Sequence, residues 1–326
     1  MSETGNIEDM AKFISDDIFK WFKWKRCKLT DINVSCVSRH HKKKTHPVDV
    51  VFYYDDPYSG TTIYLNTDLK SYKKGTITPS KITAALESLS MAVECANINE
   101  DWQNKFIVND TVSSKVIGLL FLYNHDNEFD KSFSDLIAKI DINKIDLNEN
   151  VEIGFFDPDR IRNLLNISTD IKELIADDTL PKNEYTFFYP DLVMVRRHGE
   201  EWDQPASLDA LTSPWLMIKH RSAEKIQEGY LIYYQMPGDT VDEFIYLIDA
   251  LSHYQMLLSD KPIRVRFTNP VEDAPINFNK AKLEYSRLWG DDPGRKKQLE
   301  RIEARRIKKV NPNYCPCEIG MNDHVE

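Results

Sequence analysis

The stretch that decides the fold of this chain reads His46-Pro47-Val48-Asp49 and, nineteen positions after the aspartate, Asp68-Leu69-Lys70. A turn sequence at 55–60, Asp-Asp-Pro-Tyr-Ser-Gly, separates two segments rich in β-branched and aromatic residues. The pattern predicts a β-hairpin in which a strand at 48–54 folds back beside a strand at 61–72. Asp49 is therefore expected to lie near Asp68.

The second strand of this hairpin sorts its side chains by parity, because successive residues of a strand point to opposite faces. The odd positions Ile63, Leu65 and Leu69 are apolar. The even positions are polar or amphipathic: Thr62, Tyr64, Asn66, Asp68, Lys70 and Tyr72. The alternation predicts a polar face that carries Asp68 and Lys70. Two carboxylates and a lysine in this arrangement are typical of a metal-dependent phosphodiesterase.

On these residues the chain resembles the PD-(D/E)xK nuclease superfamily, which has the restriction-endonuclease-like fold. The resemblance covers roughly residues 6 to 125 and implies that Asp49, Asp68 and the backbone carbonyl of Leu69 bind one Mg²⁺ or Mn²⁺ ion. It also implies that Lys70 orients or activates the attacking water and stabilises the charge of the phosphorane. Two features depart from the family pattern, since Val48 separates the proline from Asp49 and the second acid is Asp where Glu is commoner.

A helix is predicted at 6–25, where apolar residues recur at helical spacing. On a wheel with about 100° per residue, Asp17 falls inside the apolar stripe and Asp16 faces away. An unpaired carboxylate is costly to bury, so Asp17 needs a partner. Members of the superfamily often carry an additional acid on this helix that faces the metal. The resemblance therefore makes Asp17 a catalytic candidate, with Glu8 and Asp16 as fallbacks; the alternative is an ion pair with a nearby lysine.

Two basic segments flank the hairpin. The run at 39–46 follows a predicted strand at 32–37, and a second basic turn follows Lys70. Basic loops beside a phosphodiester site neutralise phosphate and hold the nucleic-acid backbone in register. The candidates for nucleic-acid binding are therefore Lys42, Lys43, Lys44, Lys73 and Lys74. The alternative is that both segments are ordinary solvated loops.

Histidines in the first basic run, among them His46, raise the question of zinc. No second pair of ligands at the spacing of a structural zinc site accompanies them, so a zinc site is not predicted. The cysteines, at 27, 36, 95, 315 and 317, are odd in number and give no disulfide framework. Together with the polar N-terminus and the lack of an apolar run of about 18 residues, this favours a cytoplasmic location and no membrane association.

The rest of the first domain follows the order of a βββαβ core. A helix is predicted at 79–97, introduced by Thr78 and Pro79, and an apolar strand at 116–123 suits a sheet that is buried on both faces. His125 follows that strand and could assist the site, although a histidine in a polar loop is more often incidental.

The chain of 326 residues is long enough for two cores. Expected are a nuclease-like domain at 1–150, a second α/β or α+β domain at 151–290 and a charged tail at 291–326 with a projecting helix at 294–309. In the second domain, Tyr189-Pro190-Asp191 and Met217-Ile218-Lys219 look like a decayed nuclease signature. Methionine cannot bind Mg²⁺, a cation that demands oxygen ligands.

The fold expected from these patterns is α/β, a restriction-endonuclease-like mixed sheet flanked by helices, followed by the second domain. By analogy with the superfamily, the expected function is metal-dependent hydrolysis of DNA within a bacterial restriction or antiviral defence system, with a protein partner subunit or as a homo-oligomer. The net charge of −10 argues against a general nucleic-acid coat but leaves room for basic strips. The alternatives are an inactive nuclease fold that serves as a binding or assembly subunit, and an enzyme that acts on RNA.

Overall fold

The computed structural model describes residues 3–126, 128–129, 131–141, 148–190 and 202–309. Contacts divide the chain into a first unit that runs to Arg162 and a second that begins at Asn163. No helix within the described ranges is long and apolar enough to cross a membrane.

The first unit is a five-stranded mixed sheet with helices packed against it. Its strands lie in chain order, with β1–β2 and β2–β3 antiparallel and β3–β4 and β4–β5 parallel. The strands are β1 Lys25–Ser35, β2 Thr45–Asp55, β3 Thr62–Tyr72, β4 Ser114–Asn124 and β5 Ile153–Phe156. The helices are α1 Glu3–Phe13, α2 Pro79–Ile98, α3 Glu100–Phe106, α4 Phe133–Ile137 and α5 Pro158–Ala176, the last of which runs on into the second unit. The predicted mixed sheet flanked by helices is confirmed.

Helix α2 covers one face of the sheet. It begins where predicted, because the Thr78 side chain accepts a hydrogen bond from the Lys81 N–H and Pro79 occupies the first turn. On β4, Gly118 allows close approach of the helix, since a Cβ there would lie 3.0 Å from Cγ of Leu89. The sheet and α2 therefore pack in direct contact, and β3 lies between β2 and β4.

The predicted division of β3 into a core face and a polar face is wrong for most of the strand. All residues from Thr62 to Thr67 are buried, including the even-numbered Tyr64 and Asn66. Tyr64 packs in the core on the α2 side, and its hydroxyl accepts a hydrogen bond from the Val108 N–H at 2.9 Å. A central strand covered on both faces has no polar side, so polar groups reach the surface only near its end, from Asp68 onward.

The first helix is shorter than predicted. It is α-helical only as far as Phe13, continues as a π turn over Ile14–Ile18 and a 3₁₀ turn over Phe19–Phe22, and gives way to β1 at Lys25. The apolar residues after Phe13, whose spacing predicted one continuous α-helix, lie in the π turn and the 3₁₀ turn. The predicted strand at 32–37 overlaps only the last four residues of β1, which begins at Lys25 and ends at Ser35.

The second unit holds another five-stranded sheet, with strand order β10-β9-β8-β7-β6. The pairs β6–β7 and β7–β8 are antiparallel, and β8–β9 and β9–β10 are parallel, which is the same sequence of pairings as in the first sheet. Its strands are β6 Tyr185–Phe187, β7 Trp215–His220, β8 Gly229–Tyr234, β9 Ile263–Phe267 and β10 Ile302–Arg306. Its further helices are α6 Leu208–Thr212, α7 Val241–His253, α8 Ala274–Leu288 and α9 Pro293–Glu300.

Two boundaries differ from those predicted. The strand β5 pairs with β4, so the first sheet extends past residue 150 and the contacts place the division at Arg162. The predicted projecting helix at 294–309 is wrong, because α9 ends at Glu300 and β10 then pairs with β9. Ile302 is buried while its neighbour Glu303 is exposed, which is the alternation of an edge strand blunted by charge.

Candidate active site

The candidate site forms where the β2–β3 ladder ends. The last registered pair is Val50 and Thr67, so Asp49 and Asp68 come one step further along the two strands. There Oδ2 of Asp49 accepts the backbone N–H of Leu69 at 2.8 Å, in place of a backbone carbonyl. The hairpin thus brings together the two acids that the sequence pairs.

Asp68 and Lys70 stand two residues apart on β3 and touch each other. The ammonium Nζ of Lys70 donates to Oδ1 of Asp68 at 2.5 Å, and the side chain of Asp68 is only 15 % exposed. Burial by itself would lower the pKa of Lys70, but the charges of Asp68 and Asp49 outweigh it and raise that pKa. The lysine is therefore held as a cation beside both carboxylates.

Asp49 is the electrostatically strained member of the group. Burial and the charge of Asp68 raise the pKa of Asp49 to about 7, and the N–H of Leu69 and the cation of Lys70 oppose this only in part. Two neighbouring carboxylates disfavour each other's ionisation unless positive charge joins them. Among the described residues, the cation of Lys70 offsets only part of the negative charge of the two carboxylates.

The donor set fits a hard divalent cation. Two carboxylates supply anionic oxygen, and the Oδ1 atom of Asn66, two residues before Asp68, is buried without a hydrogen-bond partner among the described residues. The N–H and C=O of one strand residue point to the same side, so the Leu69 carbonyl faces the edge where its N–H meets Asp49. Oxygen donors of this kind suit Mg²⁺ or Mn²⁺.

The structure gives the positions of the remaining predicted site residues, but their geometry does not assign them a role. Asp17 lies half-buried in the π turn and Asp16 is exposed. Lys42, Lys43 and Lys44 are exposed, with Nζ of Lys43 donating to Oγ of Ser88 on α2 at 3.1 Å. Their roles, like that of Asp17, stay predictions.

The basic turn after β3 is anchored to the end of β4. Lys73 is exposed and Lys74 is half-buried, and the backbone N–H of Lys74 donates to Asp126 at 2.9 Å. His125 lies at the same end, where its Nδ1 is 2.9 Å from Oγ of Ser71. The basic turn and His125 both lie near the end of β3 that carries Lys70.

One cluster of metal-ligating side chains was not predicted. Cys36, His41, His46 and Cys95 present one ligand atom each within 4.8 Å of one another. Besides the two histidines, the cluster contains Cys36, which follows β1, and Cys95, which lies on α2. The signal available was the regular Cys36-x₄-His41-x₄-His46 spacing, but the fourth ligand is visible only after α2 packs on the hairpin.

The second sheet has no counterpart of the acids. By strand order β8 takes the place of β3, and residues 229–237 contain neither an acid nor a lysine. Lys219 lies on β7, in the place of β2, so the resemblance of Met217-Ile218-Lys219 to the nuclease signature is shifted by one strand. The companion Asp191 lies outside the described residues, as do Cys315 and Cys317.

Residues 1–160 match the family model described as "GAPS4 protein PD-(D/E)XK nuclease domain". The matched segment contains all five strands of the first sheet and the whole candidate site. No curated protein matches the chain.

Proposed function

The N-terminal domain of this chain belongs to the PD-(D/E)xK nuclease superfamily, and on that premise we propose that the chain is a metal-dependent endonuclease that hydrolyses DNA phosphodiester bonds. The observation that carries the proposal is the convergence of Asp49, Asp68 and Lys70 where the ladder between β2 and β3 ends. This end of β3 is also where polar side chains first reach the surface.

We assign the acidic residues of the site to metal binding and Lys70 to stabilisation of negative charge. Asp49 and Asp68 would hold the divalent cation, with the Leu69 carbonyl as a neutral ligand, and the cation would polarise the scissile phosphoryl group and make water a better nucleophile. Lys70 is positioned by Asp68 and brings positive charge to the place where negative charge grows in the transition state. With Asp68 holding the cation, Lys70 would be left to donate from Nζ to water or phosphate.

The biological setting is proposed by analogy with the superfamily. We expect DNA as substrate, Mg²⁺ or Mn²⁺ as cofactor, and action within a bacterial restriction or antiviral defence system together with a protein partner or a second copy of the chain. The alternative is a nuclease fold that binds nucleic acid or assembles a complex without cutting. The second sheet, which repeats the strand pairings of the first without its acids, favours such a binding role for the C-terminal domain.

The proposal is tested with closed circular substrates, because only an endonuclease can cut a molecule without ends. The purified full chain is incubated with supercoiled plasmid, or with circular RNA, in Mg²⁺ or Mn²⁺. We expect nicked and linear plasmid with either ion, none in excess EDTA, and recovery when Mg²⁺ is restored. Preferential cleavage of the RNA circle would change the substrate, and cleavage that persists in excess EDTA would overturn the metal mechanism.

Contaminating nucleases are excluded by a matched pair of variants. Lys70→Ala should lose cleavage, whereas Lys105→Ala, which removes an exposed lysine from α3, should keep it. Equal cleavage by wild type and well-folded Lys70→Ala would favour the non-catalytic alternative.

A further inference from the structure

Four side chains from four different segments converge beside the hairpin. Cys36 follows β1, His41 lies in the loop, His46 is near the start of β2, and Cys95 belongs to the last turn of α2. His46 and Cys95 are buried, and the side chain of His41 is only 7 % exposed. The four ligand atoms face one another and enclose a common centre.

Five of the six distances between these atoms are close to the edges of a zinc tetrahedron. With Zn–S of about 2.3 Å and Zn–N of about 2.05 Å, edges of about 3.8 Å between sulfurs, about 3.6 Å between sulfur and nitrogen and about 3.4 Å between nitrogens follow. The two sulfurs lie 3.7 Å apart and the two nitrogens, Nδ1 of His41 and Nε2 of His46, 3.3 Å apart. Three of the four sulfur–nitrogen distances are 3.6 Å for Cys36–His41, 3.5 Å for Cys95–His41 and 3.4 Å for Cys95–His46, and the fourth, Cys36–His46, is within 4.8 Å.

Other readings of the cluster fit less well. A disulfide between Cys36 and Cys95 requires sulfurs about 2.05 Å apart, far closer than the 3.7 Å found. A packed core does not account for two imidazoles that aim ring nitrogens at each other and at two thiols, because such groups are normally satisfied by distinct donors and acceptors.

The surroundings of the cluster also resemble those of a metal site. The second ring nitrogen of His41, Nε2, is 3.3 Å from Oε2 of Glu94, and Asn148 donates to the same oxygen at 2.9 Å. Carboxylates that orient the distal nitrogen of a ligand histidine are a recurrent feature of zinc sites. The backbone is fixed as well, since the Cys36 N–H donates to the Lys44 carbonyl at 2.9 Å.

We propose that Cys36, His41, His46 and Cys95 bind one structural Zn²⁺ ion, distinct from the cation of the nuclease site. Four protein ligands close the coordination sphere, which is the arrangement of structural rather than catalytic zinc. Binding releases the two thiol protons to solvent and leaves both imidazoles neutral. The ion staples the loop that carries Lys42, Lys43 and Lys44 to α2.

The staple also fixes the start of β2. His46 precedes Asp49 by three residues, so the zinc centre and the acid are joined by about 10 Å of strand. Loss of zinc should therefore loosen the loop and the frame of the active site, while the carboxylates themselves remain.

The test measures metal directly in the full-length protein, purified without chelator from zinc-supplemented cells. We expect one zinc per chain by elemental analysis. Replacement by Co²⁺ should give the visible bands of tetrahedral cobalt and a thiolate charge-transfer band. Cys36→Ser and His41→Asn should lose the zinc and lower the Tm by several degrees. Zinc well below one per chain together with no cobalt bands, or a disulfide between Cys36 and Cys95 in the freshly purified protein, would overturn the proposal.

Matched variants separate the zinc centre from packing and from the nuclease site. Cys27→Ser removes a buried thiol outside the cluster, and His40→Asn removes the exposed neighbour of His41; both should keep zinc. Asp68→Asn should also keep zinc, whatever happens to cleavage. If Cys36→Ser fails to fold, alkylation of native wild type decides: Cys36 should resist the reagent until a zinc-selective chelator is added. Free alkylation of Cys36 without chelator, or zinc retained in folded Cys36→Ser, would contradict the assignment.

Discussion

The two sheets of this chain follow the same pairing order but use the end of the third strand differently. In the first sheet, Asp68 and Lys70 lie near the end of β3, beside Asp49, where the β2–β3 ladder stops. In the second, β8 ends in Tyr233 and Tyr234, whose hydroxyls donate to acids at 2.9 Å. The end of β8 stays buried, whereas polar side chains reach the surface from Asp68 onward in β3.

The acids of the two domains also differ in what balances them. Asp170 on α5 is buried and is met by the Tyr233 hydroxyl and, at 3.8 Å, by the guanidinium of Arg266. The charge of Asp49 is opposed by Lys70, which also interacts with Asp68, and the pKa of Asp49 is raised to about 7. Burial raises the pKa of both acids, but Asp170 has a hydroxyl and a guanidinium as partners, whereas Asp49 shares the cation of Lys70 with a second carboxylate.

The largest expected effect tests whether only the first sheet cuts. Asp68→Asn should reduce plasmid cleavage by about 100-fold or more, because it removes both a metal ligand and the anchor of Lys70. The exposed-acid control Asp110→Asn and the second-sheet change Lys219→Ala should leave cleavage at the wild-type level. Gel-based rates for the three folded variants decide the matter; loss of cleavage in Lys219→Ala would bring the second sheet into the reaction.

The second prediction concerns stability without added divalent ions. The folded protein holds a proton on Asp49 more tightly than the unfolded chain, so stability should fall as the pH rises from about 4 to 7 and stay reduced above pH 7. Asp49→Asn removes this penalty and should raise the free energy of unfolding at pH 8 by up to about 4 kcal/mol, and by less at pH 5. Urea titrations at both pH values measure it, and a variant less stable than wild type at pH 8 would contradict the sign.

The third prediction compares basic strips of the two domains. Changing Lys42, Lys43 and Lys44 together to Gln should weaken binding to all DNA sequences alike and lower the slope of log affinity against log salt by about 3. The same change at Arg295, Lys296 and Lys297 of α9 should leave the slope unaltered. Fluorescence anisotropy over a salt series gives both slopes. If instead the change in α9 lowers the salt slope and the change at Lys42, Lys43 and Lys44 does not, the DNA contact lies in the second domain. The hairpin acids would then be the sole argument for substrate binding by the first domain.

The smallest expected effect concerns the acid of the leading helix. Asp17→Asn should slow cleavage several-fold and more than Asp16→Asn, because Asp17 is half-buried and Asp16 is exposed. In the second domain the buried acid of the leading helix, Asp170, is already engaged by Tyr233. Equal and mild rate losses in the two variants would assign Asp17 the same structural role as Asp170.

The geometry of the candidate site could be predicted because its information is local. A turn at 55–60 fixes the register of β2 and β3, and the register alone brings Asp49 to Asp68. Helix α2 was equally predictable from Thr78 and Pro79, which cap its first turn. Neighbours in sequence determine these features, so they need no knowledge of tertiary packing.

Features that depend on distant packing were missed. Cys95 lies 59 residues from Cys36 and becomes a neighbour only when α2 docks. The burial of Tyr64 follows from its packing in one core with α2 and against Trp102 of α3, which parity along one strand does not reveal. Strand β10 has only Ile302 and Ala304 among charged residues, so its composition does not indicate a strand. It forms one because it pairs with β9.

The short strand β5 has a practical consequence for protein dissection. Its four residues pair with Gly118 to Phe121 of β4, a strand that is buried along almost its whole length. A fragment that stops at residue 150 would therefore leave the apolar stretch from Gly118 to Phe121 without its strand partner, a template for intermolecular strand pairing. Such a fragment should aggregate during expression even though every residue of its catalytic hairpin is present. The smallest well-behaved nuclease fragment should therefore include β5 and extend to the division between the units at Arg162.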